Sequence, residues 1–277
     1  MGGKVTITTL LEKKKLKKPI TMLTAYDFSL AKAVDLSGVD CILVGDSLGN
    51  VVLGYEHTLQ VTMEDMLHHV QAVARGAKRA MIVADMPFLS CHLTTAESIR
   101  NAGSLIQAGA HAVKIEGGGA QVTGTVEAIV EAGIPVMGHI GLTPQRVLQL
   151  GGYKVQGKEE AEAGLLFQEA KSLEAAGAFA VVLECIPARL AERITTGIGI
   201  PTIGIGAGPY CDGQVLVTYD LLGINDTPTP KFVKKYADLH AAVQEALQTF
   251  VAEVNEGIFP DLEHSYTGQK EKICKLY

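Results

Sequence analysis

The sequence predicts an α/β protein built as a single (β/α)₈ TIM barrel. Three observations carry that prediction. The 277 residues match the usual length of one such barrel. Eight short apolar runs recur along the chain, at 21–25, 41–45, 81–84, 112–115, 135–138, 178–183, 202–205 and 215–219. Amphipathic segments of helical period lie between them, and no linker interrupts the alternation. A doubly wound open sheet is the alternative, with fewer strands expected at this length.

Each element follows from its residues. Several of the apolar runs are continuous rather than alternating, as expected of parallel strands covered on both faces. The helical segments are 29–37, 63–74, 96–108, 124–131, 159–175 and 187–194, with a final long helix over 231–255. Thr62 before Glu64-Asp65 and Thr95 before Glu97 read as helix starts. Gly38, Gly76, Gly109, Gly133 and Gly177 each stand just before a strand and read as helix stops. Ala108-Gly109-Ala110, Ala132-Gly133-Ile134 and Ala176-Gly177-Ala178 are near repeats of that junction. From 267 to 277 the chain is polar and expected to fray, so the expected organisation is one barrel domain over 1–277 with a loose tail.

Composition narrows the class. The chain is 47% hydrophobic and rich in glycine, without Trp, which suits buried aliphatic strands joined by tight turns. Net charge is −6 and no basic domain stands out, so nucleic acid is not an expected partner. The basic run Lys13-Lys14-Lys15-Leu16-Lys17-Lys18 reads as a solvated helix end. The five cysteines, Cys41, Cys91, Cys185, Cys211 and Cys274, are odd in number and include no CxxC pair. That points to a reducing, cytoplasmic setting, with Cys41 and Cys185 as buried small hydrophobes. No apolar run approaches the ~20 residues of a membrane span, and the N-terminus lacks a signal-peptide core. Met1-Gly2 with Thr6, the Cys274–Tyr277 ending and the Asn225-Asp226-Thr227 sequon read as chance matches to modification signals.

In a barrel the chemistry gathers where strands end. Run 41–45 ends in Asp46-Ser47, and run 81–84 ends in Asp85. Run 112–115 contains Lys114 and ends in Glu116, 135–138 ends in His139, and 178–183 ends in Glu184. Five consecutive strands thus deliver ionisable groups to one rim. Lys114 and Glu116 are two apart, so they share a strand face, and structural pairing is the plain alternative to a catalytic use. Asp46, Asp85 and Glu116 offer only oxygen, which suits a hard cation such as Mg²⁺. A 2-oxo acid chelates such a cation through carboxylate and carbonyl, and the cation then stabilises an enolate. Enolate formation needs a base, and Glu184 is the candidate. Zinc spacing is absent: His68-His69 and Cys91-His92 are simple neighbours, and His57 and His68 read as surface residues. Gly204-Ile205-Gly206-Ala207-Gly208 and Gly117-Gly118-Gly119 read as tight turns that let substrate approach closely.

These pieces resemble the 3-methyl-2-oxobutanoate (ketopantoate) hydroxymethyltransferase family. The resemblance rests on seven collinear motifs between about residues 6 and 266. They are Val44-Gly45-Asp46-Ser47, Ala84-Asp85-Met86-Pro87-Phe88, Val113-Lys114-Ile115-Glu116-Gly117-Gly118, Gly138-His139-Ile140-Gly141-Leu142-Thr143-Pro144-Gln145, Gly151-Gly152-Tyr153-Lys154-Val155-Gln156-Gly157, Leu183-Glu184-Cys185-Ile186-Pro187 and Ile203-Gly204-Ile205-Gly206-Ala207-Gly208. The resemblance implies a barrel of the phosphoenolpyruvate/pyruvate superfamily. It implies hydroxymethyl transfer from 5,10-methylenetetrahydrofolate to 3-methyl-2-oxobutanoate, giving 2-dehydropantoate for pantothenate synthesis. By matching motifs, Asp46 and Asp85 are the main Mg²⁺ carboxylates, with Glu116 in the metal sphere. Asp46, Ser47, Asp85, Lys114 and His139 line the substrate, and Glu184 is the proton acceptor. A cytoplasmic homo-oligomer, a decamer in the family, is implied as well.

The chain departs from the family pattern at Cys91-His92, at Tyr210-Cys211 and in the tail after 266. Two other readings stand beside this one. A Mg²⁺-dependent lyase or mutase of the same superfamily shares the enolate chemistry, but the cysteine loop typical of its lyases is absent here. A catalytically inactive barrel that only binds is the other, and intact carboxylates at the strand ends argue against it.

Overall fold

The structure, a computed structural model, describes residues 3–226 and 229–266. The expected frayed tail at 267–277 and the modification signals at Met1-Gly2, Thr227 and Cys274 lie outside those residues. The elements run α1 (Ile7–Lys15), β1 (Ile20–Thr24), α2 (Phe28–Leu36), β2 (Cys41–Val44), α3 (Leu48–Val51), α4 (Met63–Gly76), β3 (Met81–Asp85), α5 (Thr95–Gln107), β4 (Ala112–Glu116), α6 (Ala120–Glu131), β5 (Val136–Gly141), α7 (Val147–Leu150), α8 (Glu160–Ala175), β6 (Ala180–Glu184), α9 (Ala188–Gly197), β7 (Thr202–Ile205), β8 (Gly213–Leu216), α10 (Thr218–Leu222) and α11 (Leu239–Glu256). The eight strands close in sequence order into a parallel barrel, as predicted.

The chain falls into two compact units. One takes Met1–Thr218 with Thr229–Val233 and holds the whole barrel; the other takes Tyr219–Pro228 with Lys234–Tyr277. No helix among the described residues is long and apolar enough to cross a membrane. The barrel interior is apolar, with Met22, Leu43, Val83, Ala112, Met137, Val182, Ile203 and Val215 in one cluster.

Helix α1 closes that cluster from below, which the sequence reading misses. Its Leu10 is fully buried and joins the interior cluster. The basic run is indeed a helix end, but it is not simply solvated. Lys13 Nζ donates to Asp40 at 2.6 Å, and Lys14 Nζ pairs with Asp212 at 2.7 Å. Both acids precede strands at the floor of the barrel, so the first two lysines turn inward and only Lys15, Lys17 and Lys18 remain exposed.

Most helix boundaries follow the signals. Thr62 forms a capping box with Asp65. Gly38, Gly109, Gly133 and Gly177 take positive φ at helix stops. Gly76 is different. It remains helical, and a Cβ there would sit 2.5 Å from the Phe28 carbonyl, so its role is close packing of α4 on α2. The N-cap of α5 is Thr94 rather than Thr95, because the Thr94 hydroxyl accepts the Glu97 N–H. Helix α6 begins four residues earlier than expected, at Ala120. Helix α11 starts at Leu239 rather than near 231, because Asp238 caps it by accepting the Ala241 N–H. Strand β8 starts two residues earlier than expected and ends three earlier, at Leu216, since Thr218 leaves the sheet to donate to the Thr24 carbonyl. No helix joins β7 to β8; residues 206–212 cross as a loop.

Candidate active site at the strand ends

Parallel register brings the predicted side chains together. Asp85 pairs with Lys114 across β3 and β4, Glu116 with His139 across β4 and β5, and Gly141 with Glu184 across β5 and β6. Asp46 follows β2 directly, and its N–H donates to Asp85 Oδ2 at 3.0 Å. Gly45 permits that approach, since a Cβ there would meet Asp85 Oδ2 at 3.4 Å and Ser47 Oγ at 2.9 Å. Asp46, Asp85, Lys114, Glu116 and His139 are all buried. Ser47 and Glu184 are half-buried at the edge of the group. All seven predicted residues therefore stand on one rim.

The contacts refine the expected pairings. Lys114 Nζ lies 3.2 Å from Asp85 Oδ1 and 3.9 Å from Glu116 Oε1, so Asp85 is its nearer partner. His139 bridges the cluster. Its Nδ1 is 3.0 Å from Lys114 Nζ and 3.4 Å from Glu116 Oε1, and its Nε2 is 3.1 Å from Glu184 Oε2. Ser47 Oγ is 2.9 Å from the hydroxyl of buried Tyr26.

Burial and charge set the protonation states. Burial pushes the Asp46 carboxyl well above the usual range, and Asp85 and Glu116 add to the rise. Burial raises Asp85 too, although Lys114 opposes it. Burial alone would raise Glu116, but the hydrogen bond and charge of His139, with Lys114, hold it below the usual range. Burial disfavours charge on Lys114, yet Asp85 and Glu116 outweigh that and keep it an ammonium. For His139, burial and Lys114 act downward, while Glu116 and Glu184 act upward and push it to about 9. An imidazolium cannot accept from the ammonium 3.0 Å away. The Lys114–Nδ1 hydrogen bond therefore belongs to the neutral ring and competes with protonation, which the 3.4 Å and 3.1 Å approaches of Glu116 and Glu184 favour.

Gln145 is the residue the sequence reading leaves without a role. Gly141, at φ +96°, ends β5 where a Cβ would strike the Glu184 carbonyl at 2.2 Å. The chain then turns through Thr143-Pro144-Gln145 across the mouth. Gln145 Nε2 donates to Asp46 Oδ2 at 2.8 Å and to the Met86 carbonyl at 2.9 Å, and its N–H donates to Glu116 Oε2 at 3.1 Å. A polar residue just past a strand end, following Pro, is the signal that marks it.

Two sequence expectations are corrected nearby. Cys185 is half-buried rather than core, and holds φ +48° beside Glu184. Its N–H donates to the Ile205 carbonyl and its carbonyl accepts the Gln156 N–H, which pins the turn. The glycines at 204–208 admit protein rather than substrate. A Cβ on Gly208 would lie 2.5 Å from Ala188 Cβ, and one on Gly206 3.1 Å from Cys185 Sγ. Gly118 likewise yields to Glu169, whose Cβ would be 2.4 Å away.

The donor set fits a hard divalent cation. Asp46 and Asp85 stand at adjacent strand ends with oxygen donors only, and Asp85 Oδ1 is buried with no hydrogen-bonding contact among the described residues beyond its 3.2 Å ion pair with Lys114. Three buried carboxylates share one ammonium, an imbalance that a divalent cation relieves. No three His, Cys, Asp or Glu side chains among the described residues form a closed metal cage. Mg²⁺ needs none, because it keeps several waters and takes one or two carboxylates plus substrate oxygens.

Comparison with known proteins identifies the family and the fold. A family model described as ketopantoate hydroxymethyltransferase matches residues 4–262. A 3-methyl-2-oxobutanoate hydroxymethyltransferase of Syntrophomonas wolfei subsp. wolfei is 58% identical over 276 residues, covering 99% of this chain and 100% of its own. The enzyme of that name from Clostridium botulinum is 54% identical, over 99% of this chain and 100% of its own. Among solved structures, 2,3-dimethylmalate lyase, a PEP mutase/isocitrate lyase superfamily member, superposes with TM-score 0.58 at 17% identity, covering 95% of this chain and 92% of its own. Phosphonopyruvate hydrolase superposes with TM-score 0.61 at 13% identity, over 93% and 92%. Those two likenesses establish the fold. The family match spans every strand end that carries a site residue, and the relatives align over nearly their whole length. The chain belongs to the ketopantoate hydroxymethyltransferase family.

Proposed function

We propose that this chain transfers a hydroxymethyl group from 5,10-methylenetetrahydrofolate to C3 of 3-methyl-2-oxobutanoate, giving 2-dehydropantoate for pantothenate synthesis. The observation that carries the reading is the buried rim cluster of three carboxylates, Lys114 and His139, with Glu184 at its open edge. Asp46 and Asp85, with Glu116 behind them, would hold Mg²⁺, which when bound would supply Lewis-acid stabilisation of the enolate of the oxo acid. Lys114 keeps a fixed positive charge where negative charge develops on the substrate. Ser47, braced by the Tyr26 hydroxyl, contacts the bound acid.

Glu184 takes the proton from C3. His139 Nε2 lies 3.1 Å from the receiving carboxylate and its Nδ1 3.0 Å from Lys114, so the ring links the base to the ammonium of the site. The electron pair left at C3 forms the new bond to the one-carbon unit of the folate. The two folate C–N bonds break, water supplies the hydroxyl and one proton, Glu184 gives back the proton it took from C3, and these two protons end on the nitrogens of tetrahydrofolate as 2-dehydropantoate is released.

The same proposal includes a cytoplasmic homo-oligomer, a decamer by family resemblance. Free Cys41, Cys91, Cys185 and Cys211 support a reducing location. Val243, Leu247, Phe250 and Val254, on one face of α11 and each about half exposed, support assembly.

The test is product formation from both substrates, followed by mass spectrometry, with EDTA and with Mg²⁺ restored. The expected result is 2-dehydropantoate that disappears with EDTA and returns with Mg²⁺. Cleavage or rearrangement of the oxo acid without folate would favour a lyase or mutase. Absence of any cation or oxo-acid binding in calorimetry would leave an inactive barrel.

A further inference from the structure

We propose that Gln145 is a positioning residue of the cation site and acts through Asp46. The inference rests on the metal reading above and deepens it. Gln145 is 6% exposed, and its amide orientation is determined by its partners. Asp46 Oδ2 and the Met86 carbonyl are both acceptors, so both must face the nitrogen, at 2.8 and 2.9 Å. The Gln145 N–H holds Glu116 Oε2 at 3.1 Å. One residue after β5 thus ties the ends of β2, β3 and β4. With Oδ2 held by the amide, Oδ1 is the Asp46 oxygen left to face a cation.

The other end of the amide points the same way. Gln145 Oε1 is buried and has no hydrogen-bond partner among the described residues. A buried acceptor without a donor is costly unless a ligand or water supplies one. Mg²⁺ retains bound waters, and such a water is a strong donor. Gln145 therefore sets the direction of one ligand and offers an acceptor to the hydration shell of the ion. A packing brace would need neither property.

The experiment uses Mn²⁺ as a paramagnetic probe on the full chain without substrates, read by electron paramagnetic resonance and calorimetry. Gln145→Met keeps the volume and removes the amide. Its Mn²⁺ dissociation constant should rise by about 10–100-fold, with circular dichroism unchanged, the usual loss when a partner of a metal ligand is removed. In an Asp46→Asn background the same change should add little, because the route through Asp46 is already lost. Should Gln145→Met fail to fold, Gln145→Asn keeps the amide but cannot span both acceptors, and it should show the same loss. A folded variant with wild-type Mn²⁺ affinity would overturn the proposal, as would full additivity with Asp46→Asn. Wild-type protein that binds no Mn²⁺ would instead remove the metal reading itself.

Discussion

Lys114 has three charged or polar neighbours within 4 Å, so its ammonium is the counter-charge of the site, and the proposed function makes it a substrate contact as well. Lys114→Ala should raise the KM for the oxo acid more than Lys114→Arg does. It should also lower the melting temperature, because removing one partner of a buried ion pair typically costs ~3–5 kcal/mol. Steady-state kinetics and thermal unfolding check both; unchanged KM would reduce Lys114 to a structural partner of Asp85. Gly141 carries a different constraint. Gly141→Ala forces a side chain to φ +96° and 2.2 Å from the Glu184 carbonyl. Activity should fall with stability, by roughly 1–3 kcal/mol of strain or more, read as a lower kcat and Tm. The ionisable residues were legible in the sequence because each ends an apolar run or, as Lys114 does, interrupts one. Gln145 was not, because a neutral amide in a turn carries no charge signal and its partners come from three other strands. The Lys114–Asp85 pairing was hidden for a related reason: strand spacing reveals Glu116 as a neighbour, while Asp85 is placed by cross-strand register.

Asp35 ties one element to the next. It sits near the end of α2 and accepts the N–H groups of Lys78 at 3.0 Å, Arg79 at 3.1 Å and Ala80 at 2.7 Å, which fixes the entry to β3. Burial acts to raise its carboxyl, but those donors and the Arg79 charge hold it below the usual range. A depressed folded pKa gives stability that is present above the unfolded value near ~3.9 and lost as pH falls through the folded value. Asp35→Ala should therefore destabilise by about 1–3 kcal/mol at pH 7, the cost of leaving buried donors unpaired. The gap between variant and wild type in denaturant melts should shrink below pH ~4, and a gap independent of pH would contradict the assignment. At this scale the alternation of runs was readable, because the strand and helix periods differ. Helix α1 was hidden by its charge: six residues of mostly lysine look solvated until Asp40 and Asp212 are brought beneath them by closure of the barrel. The end of β8 was misplaced because Thr218 trades a sheet position for Thr24, a contact 194 residues away.

Closure of eight parallel strands in order places every strand end on one rim, so residues from Asp46 to Glu184 meet without long-range sequence signals. That is why the site could be read from strand ends alone, and why its finer wiring through His139 and Gln145 could not. Two single substitutions test the cation half of the site. Asp46→Ala and Asp85→Ala should each lose Mg²⁺ and oxo-acid binding in calorimetry while circular dichroism stays unchanged. Normal affinity in either would remove that residue from the ligand set. The proton half is tested most directly by exchange of the C3 proton of 3-methyl-2-oxobutanoate with deuterated water, followed by NMR in the presence of Mg²⁺ and without folate. Wild type should exchange that proton. Glu184→Gln should bind Mg²⁺ and the oxo acid normally yet exchange ~10²–10⁴-fold more slowly, the usual cost of losing a general base. Exchange at the wild-type rate in the glutamine variant would contradict the assignment of Glu184 and move the base to His139.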